Sequence, residues 1–389
     1  MSFRGMNWGR LAVGLWMASV MRMPAMASSL KLSYGATAGL VQQLSVAALT
    51  TPNWFVTGVE NAGNNLEVIA WNNNTAASQV QRMGSSTAGT ISAVALAPLA
   101  SDRFVAAVNN GDGFLELIVY AVDGDGNITR QGSKVVAFTI DTLAISALDG
   151  SHVVTVTSNV YSLLLTPTET ATVWAVDANG NLSVVGSPVT MPNPSPAVAV
   201  AGVSSTQFTV AQCGQDIDQN NYPLILSSWA VGTTVWGQEL VNAGNLCTDA
   251  MQMVSLNDGD FALAFQDLAT QELNYGFWII NSVGSMYQAG GNDSIPMNWT
   301  LAVANLGGLA FTMSDSAPAG AGSTSLEGNV WYYSTNRGEA ADKAFTCGPV
   351  GLCPVSAAGL SSTQIAVASA PFVGAPEGNL HVDIWTYAP

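Results

Sequence analysis

Leu66-Glu67-Val68-Ile69-Ala70-Trp71 is a strand-like run that closes on an aromatic. The same arrangement returns as Leu115-Glu116-Leu117-Ile118-Val119-Tyr120 and as Leu380-His381-Val382-Asp383-Ile384-Trp385. The aromatic recurs at Trp71, Tyr120, Trp174, Trp229, Trp278, Trp331 and Trp385, at intervals of 49, 54, 55, 49, 53 and 54 residues. A fixed spacing of about 50 residues marks one supersecondary unit used repeatedly. The β-branched and aromatic content of the runs makes them strands.

Upstream of each aromatic stands a run of small residues, a short turn and an apolar strand. Val46-Ala47-Ala48-Leu49 leads to Phe55-Val56, and Val94-Ala95-Leu96 leads to Phe104-Val105. Downstream come a tight turn and a fourth strand read as ending near a Gly-Ser doublet: Gly84-Ser85, Gly132-Ser133 and Gly186-Ser187. Four antiparallel strands per unit is the make-up of a propeller blade. Small first strands suit a crowded axis, and the bulky aromatic suits the wider gap between blades. The pattern resembles the broad class of secreted bacterial repeat propellers over nearly the whole chain, although kelch and WD-type signatures are absent. The expected fold is all-β: a seven-bladed β-propeller of four-stranded antiparallel blades, with a stacked β-helix of far shorter rungs as the alternative.

The two ends fit each other. Only four residues follow Trp385, so the last unit lacks its fourth strand, and Leu30-Lys31-Leu32-Ser33-Tyr34-Gly35 reads as that strand. The N-terminal strand is expected to close the last blade and remove the open edges of the ring. Residues 1–27 read as a signal peptide. Arg4 and Arg10 precede an apolar stretch at residues 11–21, and Pro24-Ala25-Met26-Ala27 offers a small-residue cleavage pattern. The stretch is about half the length a membrane-spanning helix needs. Residues 28–389 then form a single domain, secreted or held in a periplasm or at a cell surface, without stable membrane insertion. Residues 192–196, Pro-Asn-Pro-Ser-Pro, are expected to be a stiff crossing between blades rather than a domain joint.

Charge narrows the partners. The chain carries a formal charge of −16 with only 9% charged residues, and loss of the signal removes three arginines and no acid. Nucleic acid is excluded as a partner on that balance. The surface must be built largely of Ser, Thr, Asn, Gln and Gly, as in an extracellular monomer. The four cysteines suit disulfides after export. Cys213 with Cys247 and Cys347 with Cys353 are the expected pairs.

No P-loop, Gly-x-Ser-x-Gly elbow or His-Glu-x-x-His motif is present. With two histidines and no x-x-Cys spacing, a zinc site is not expected. Asp123-Gly124-Asp125-Gly126-Asn127 alternates carboxylates as a calcium loop does. It lacks the glycine and the closing glutamate of an EF-type loop, so it reads as a hairpin turn. His152 occupies the slot of Phe104 and Phe208 and is expected to pack or edge a turn.

In an up-and-down blade, the connections after the second and fourth strands share one face, and the long irregular loops fall there. That face is expected to carry function. Its candidate ligand-binding residues are Asp216, Asp218, Tyr222, Asp267, Glu272, Trp299, Asp315 and Glu327. Trp54 lies on the opposite face. The expected function is non-catalytic recognition or scaffolding of a glycan or an extracellular protein, without a required cofactor. The alternative is a metal-assisted hydrolase or lyase, with converging loop carboxylates holding calcium at the central opening.

Overall fold

The structure, a computed structural model, describes residues 29–160, 167–191, 194–214, 223–257, 259–296, 301–316, 324–331, 337–347, 353–371 and 378–389. The expected signal at residues 1–27 lies outside them. Among the described residues every regular element is a β-strand.

The strands pair in antiparallel groups of four. The first holds β1 (Ser29–Ala48), β2 (Trp54–Asn61), β3 (Asn65–Asn74) and β4 (Gln79–Pro98). Strand β4 then begins a second group with β5 (Arg103–Asn110), β6 (Phe114–Val122) and β7 (Ile128–Thr139). The third is β8 (Thr142–Ala147), β9 (His152–Ser158) and β10 (Glu169–Val176), with β11 (Leu182–Val184) and β12 (Val189–Thr190) sharing its outer edge. Next come β13 (Val198–Ser204), β14 (Gln207–Cys213), β15 (Pro223–Val231) and the first half of β16 (Val235–Asn257). The second half of β16 pairs with β17 (Asp260–Asp267), which continues to β18 (Glu272–Ile280) and β19 (Met286–Pro296). Strands β20 (Leu301–Leu306), β21 (Leu309–Ser316), β22 (Thr324–Trp331) and β23 (Arg337–Cys347) follow. The last group is β24 (Val355–Gly359), β25 (Gln364–Ser369), β26 (Gly378–Ala388) and the first half of β1.

The N-terminal strand therefore closes the last group as the sequence implied, with Ser29 opposite Ala388 and Leu32 opposite Trp385. The innermost strands pack in one closed circuit, β1 on β4, β4 on β8, then β13, β16, β20, β24 and back to β1.

Two sequence readings need correction. Gly186-Ser187 follows the end of β11, but two of the Gly-Ser doublets do not end strands: Gly132 lies inside β7, and Gly84 lies inside β4, which runs on into the next group. Its function is a close approach. A Cβ on Gly84 would stand 2.4 Å from the Gly126 carbonyl oxygen of the next turn, and one on Gly132 would stand 2.3 Å from that of Gly180. Only glycine lets the two backbones meet. At the closing strand, Tyr34 takes the same register position, opposite Ile384, and its hydroxyl donates to Asn73 Oδ1 at 2.6 Å.

The second correction concerns His152. Phe55 lies opposite Trp71, Phe104 opposite Tyr120 and Phe208 opposite Trp229, whereas Trp174 faces Val153. His152 thus falls one residue outside the core slot and edges the turn, with Nδ1 2.9 Å from Asp149 Oδ2.

The core lies between groups. Each of the recurring aromatics is buried, from 0% exposure at Trp71 and Trp385 to 7% at Trp229 and Trp278. Each packs on the sheet before it: Tyr120 on Leu66, Val68 and Ala70, and Trp71 on Val382 and Ile384. Phe55, Phe208 and Phe261 stack on their cross-strand tryptophans at 6.3–6.4 Å with nearly parallel rings. Burial of such large apolar surfaces is the main stabilising term.

Candidate functional site

Antiparallel pairing fixes which turns meet. Connections after second strands gather at one end of the sheets, and the short turns after first and third strands gather at the other.

At the first end stand the residues expected to bind. Asp216, Asp218, Tyr222 and Trp299 lie outside the described residues, as does the side chain of Asp315, which sits in β21 opposite Leu326. Asp267 is buried, and its Oδ1 accepts the backbone N–H groups of Ala269 (2.8 Å) and Thr270 (3.0 Å), so it holds the β17–β18 turn. Glu272 begins β18 just beyond that turn, and Glu327 sits half-buried in β22 opposite Ser314. Asp267 and Glu272 thus flank one turn, while Glu327 belongs to the next group. Among the described residues no three His, Cys, Asp or Glu side chains group as a metal site.

The disulfide expected on this face is present. Cys213 at the end of β14 is bonded to Cys247 in β16, with Cα atoms 5.7 Å apart. Cys353 is also disulfide-bonded, and the side chain of Cys347 lies outside the described residues.

At the short-turn end, described turns are held by side-chain hydrogen bonds. Asp123 Oδ1 accepts the N–H groups of Asp125 (3.0 Å) and Asn127 (2.9 Å), and Oδ2 accepts Asn127 Nδ2 (2.8 Å). Those bonds, the Asn127 side chain first, hold the Asp123 carboxyl below its usual range. Asp177 repeats the arrangement with Asn179 and Asn181. The alternating acids therefore act as turn formers. Trp54, the aromatic noted on this face, packs against the core beneath β3 and β5.

Between the fourth and fifth groups this end opens into a groove of about 720 Å³. Its floor is a backbone tie between groups, Gly259 N–H to Val203 O at 3.2 Å, made with Gly259 at φ 81°. One wall is the β13–β14 turn, Ser204-Ser205-Thr206, where Ser204 Oγ accepts the Thr206 N–H at 3.3 Å. Ser282 of the β18–β19 turn contributes to the lining. Trp236 borders it, 50% exposed, beside Gly232, whose absent Cβ leaves 3.2 Å to the indole ring. Among the described residues none of the lining side chains is ionisable. The described lining of the groove thus combines an aromatic platform, several hydroxyls and an amide at Gln207.

Sequence reasoning passed over Trp236 because it lies outside the periodic set. The available signal was its place one residue into a fourth strand, just after Gly232-Thr233-Thr234, where the chain leaves a tight turn and a large apolar side chain has little to pack on.

No family model matches the chain, and no curated protein matches it in sequence. Solved structures do match. The BP39L lectin of Burkholderia pseudomallei aligns over 89% of this chain and 98% of its own, with a TM-score of 0.62 at 14% identity. The COPII outer coat vertex aligns over 89% of this chain and 84% of its own, with a TM-score of 0.53 at 11% identity. The fold is a β-propeller. The Trp236 groove lies between two neighbouring sheets of that fold.

Proposed function

We propose that the chain is a secreted seven-bladed propeller that recognises a neutral saccharide through the groove bordered by Trp236. The observation that carries this reading is a half-exposed indole at the edge of a polar cleft whose described lining holds no ionisable side chain. A large apolar side chain left in water over a polar groove is the informative kind of exposure. The flat C–H face of a sugar ring covers an indole, while hydroxyl and amide side chains around it satisfy the ring's own hydroxyls. The strongly acidic chain disfavours anionic ligands. A rigid frame with chemistry confined to turns fits recognition rather than catalysis. The likeness in fold to a lectin is consistent with this reading.

The seven-blade count rests on seven recurring aromatics and the closed circuit of inner strands. The sequence of residues 1–27 and the Cys213–Cys247 disulfide support the secreted reading. The long-loop face is left for a protein partner of the monomer.

The test is a neutral-glycan array on residues 28–389, followed by calorimetric titration of the hits against the wild type and Trp236→Ala. Binding that drops at least tenfold in the variant, with melting unchanged, supports the assignment. An empty array, or hits that Trp236→Ala retains in full, overturns it.

A further inference from the structure

Trp236 has a counterpart one blade on. It lies opposite Ala230, one residue past the core aromatic Trp229. Tyr287 of β19 lies opposite Ile279, one residue past Trp278. The two aromatics therefore occupy the same repeat position in successive blades, and Tyr287 is 52% exposed. In the other blades where this position is described, it holds Gln81, Thr129, Ser183 and Lys31. Polar residues are the rule at an exposed edge, so two neighbouring aromatics are a departure from the repeat that packing does not require.

The surroundings repeat as well. The turn before Tyr287 is fixed by Asn281 Oδ1, which accepts the N–H groups of Val283 and Ser285 at 3.0 Å each. The next blade carries at the same end the β20–β21 turn, with Gly307 and Gly308 at φ 61° and 93°. The junction of the two blades is tied by Asn305 Nδ2, which donates to Ser255 O (3.0 Å) and Leu256 O (2.8 Å). Where the Trp236 cross-strand row has Gln207 opposite Ala230, the Tyr287 row has Asp260 opposite Ile279. A carboxylate there accepts sugar hydroxyls and repels an anionic ligand.

We propose that Tyr287 and Asp260 form a second saccharide subsite beside the Trp236 groove, so that adjacent blades grip one polymeric or clustered neutral glycan together. This rests on the saccharide reading of the Trp236 groove. Two linked weak subsites raise retention on a polymer without changing affinity for a short ligand at either one.

The experiment uses dextran, mannan and xylan immobilised on a biosensor, with the matching trisaccharides free in solution, and the full mature chain as wild type, Tyr287→Ala, Tyr287→Phe and Trp236→Ala. Both side chains are exposed, so melting temperatures should agree within error and folding should not confound the result. For the polymer that binds, Tyr287→Ala is expected to speed dissociation at least tenfold, with Tyr287→Phe close to wild type. Trisaccharide affinity at the Trp236 groove should stay within twofold. Polymer retention unchanged in Tyr287→Ala but lost in Trp236→Ala would overturn the second subsite and leave the first standing. Absence of binding to every polymer and trisaccharide would remove both.

Discussion

The indole N–H of Trp71 donates to Thr57 Oγ1 at 3.0 Å, inside a core where neither residue is exposed. The same bond joins Trp174 to Thr155 (3.0 Å) and Trp331 to Thr312 (2.8 Å). In each case the threonine lies one strand away, opposite the residue two before the tryptophan. At Trp385 that place is taken by Val367, and the Trp385 Nε1 is buried without a partner.

Threonine and valine have nearly the same shape, so exchanging them isolates the bond. Thr57→Val should lower stability by about 1–3 kcal/mol, because the indole N–H loses its acceptor in a dry site. Val367→Thr should raise stability by ~1 kcal/mol by supplying the missing acceptor. Denaturant midpoints at constant m-value decide it. Equal midpoints for wild type and Thr57→Val would show that the bond contributes nothing.

Glu169 gives stability a pH dependence. A buried leucine stands five residues before six of the recurring aromatics: Leu66, Leu115, Leu224, Leu273, Leu326 and Leu380. The third blade places Glu169 there, fully buried, with Oε2 accepting the Ser195 N–H at 3.0 Å. Desolvation pushes its carboxyl up from 4.5 to about 8, against the lowering effect of Gln212 and Ser195. Between those values the folded chain holds a proton that the unfolded chain has released, so stability is full at acid pH and falls as pH rises toward 8. The loss across that window is on the order of 5 kcal/mol. Urea unfolding from pH 4 to 9 should show Glu169→Gln lacking this decline. Parallel pH profiles for the two proteins would refute it.

Closure predicts a third outcome. Deleting residues 29–35 removes the outer strand of the blade built on β26 and bares its hydrogen-bonding edge. The shortened chain should melt lower and associate through that edge, as seen by analytical ultracentrifugation. A deletion that melts like the mature chain and sediments as a monomer would mean that the ladder contributes little.

The sequence announced what repeats and concealed what does not. The recurring aromatics and Phe55, Phe104 and Phe208 were legible because core positions in every blade obey the same steric demand. The one-residue offset at His152 was not, since a register is fixed by cross-strand pairing that spacing alone does not reveal. Gly84 and Gly132 looked like strand ends because glycine usually punctuates strands. Here they are thinned so that the next turn can dock. Acids such as Asp267 looked available because loops carry function, yet a carboxylate beside free N–H groups is readily taken up by its own turn. Trp236 and Tyr287 went unnoticed for the opposite reason: a site belongs to one or two blades, and averaging over the repeat erases it.

The pairing of Ser29 with Ala388 also sets how the molecule bears load. Ser29 and Ala388 sit at one corner of one sheet, on neighbouring antiparallel strands. Tension applied across that corner would part the β1–β26 ladder rung by rung, like a zipper, instead of shearing all its bonds at once. Tension entering through one end and leaving through a bound ligand would pass instead across the blades, whose continuous strands β1, β4 and β16 carry it from one sheet into the next. Held that way, the ring is a rigid coupling; pulled by both ends, it has a built-in release.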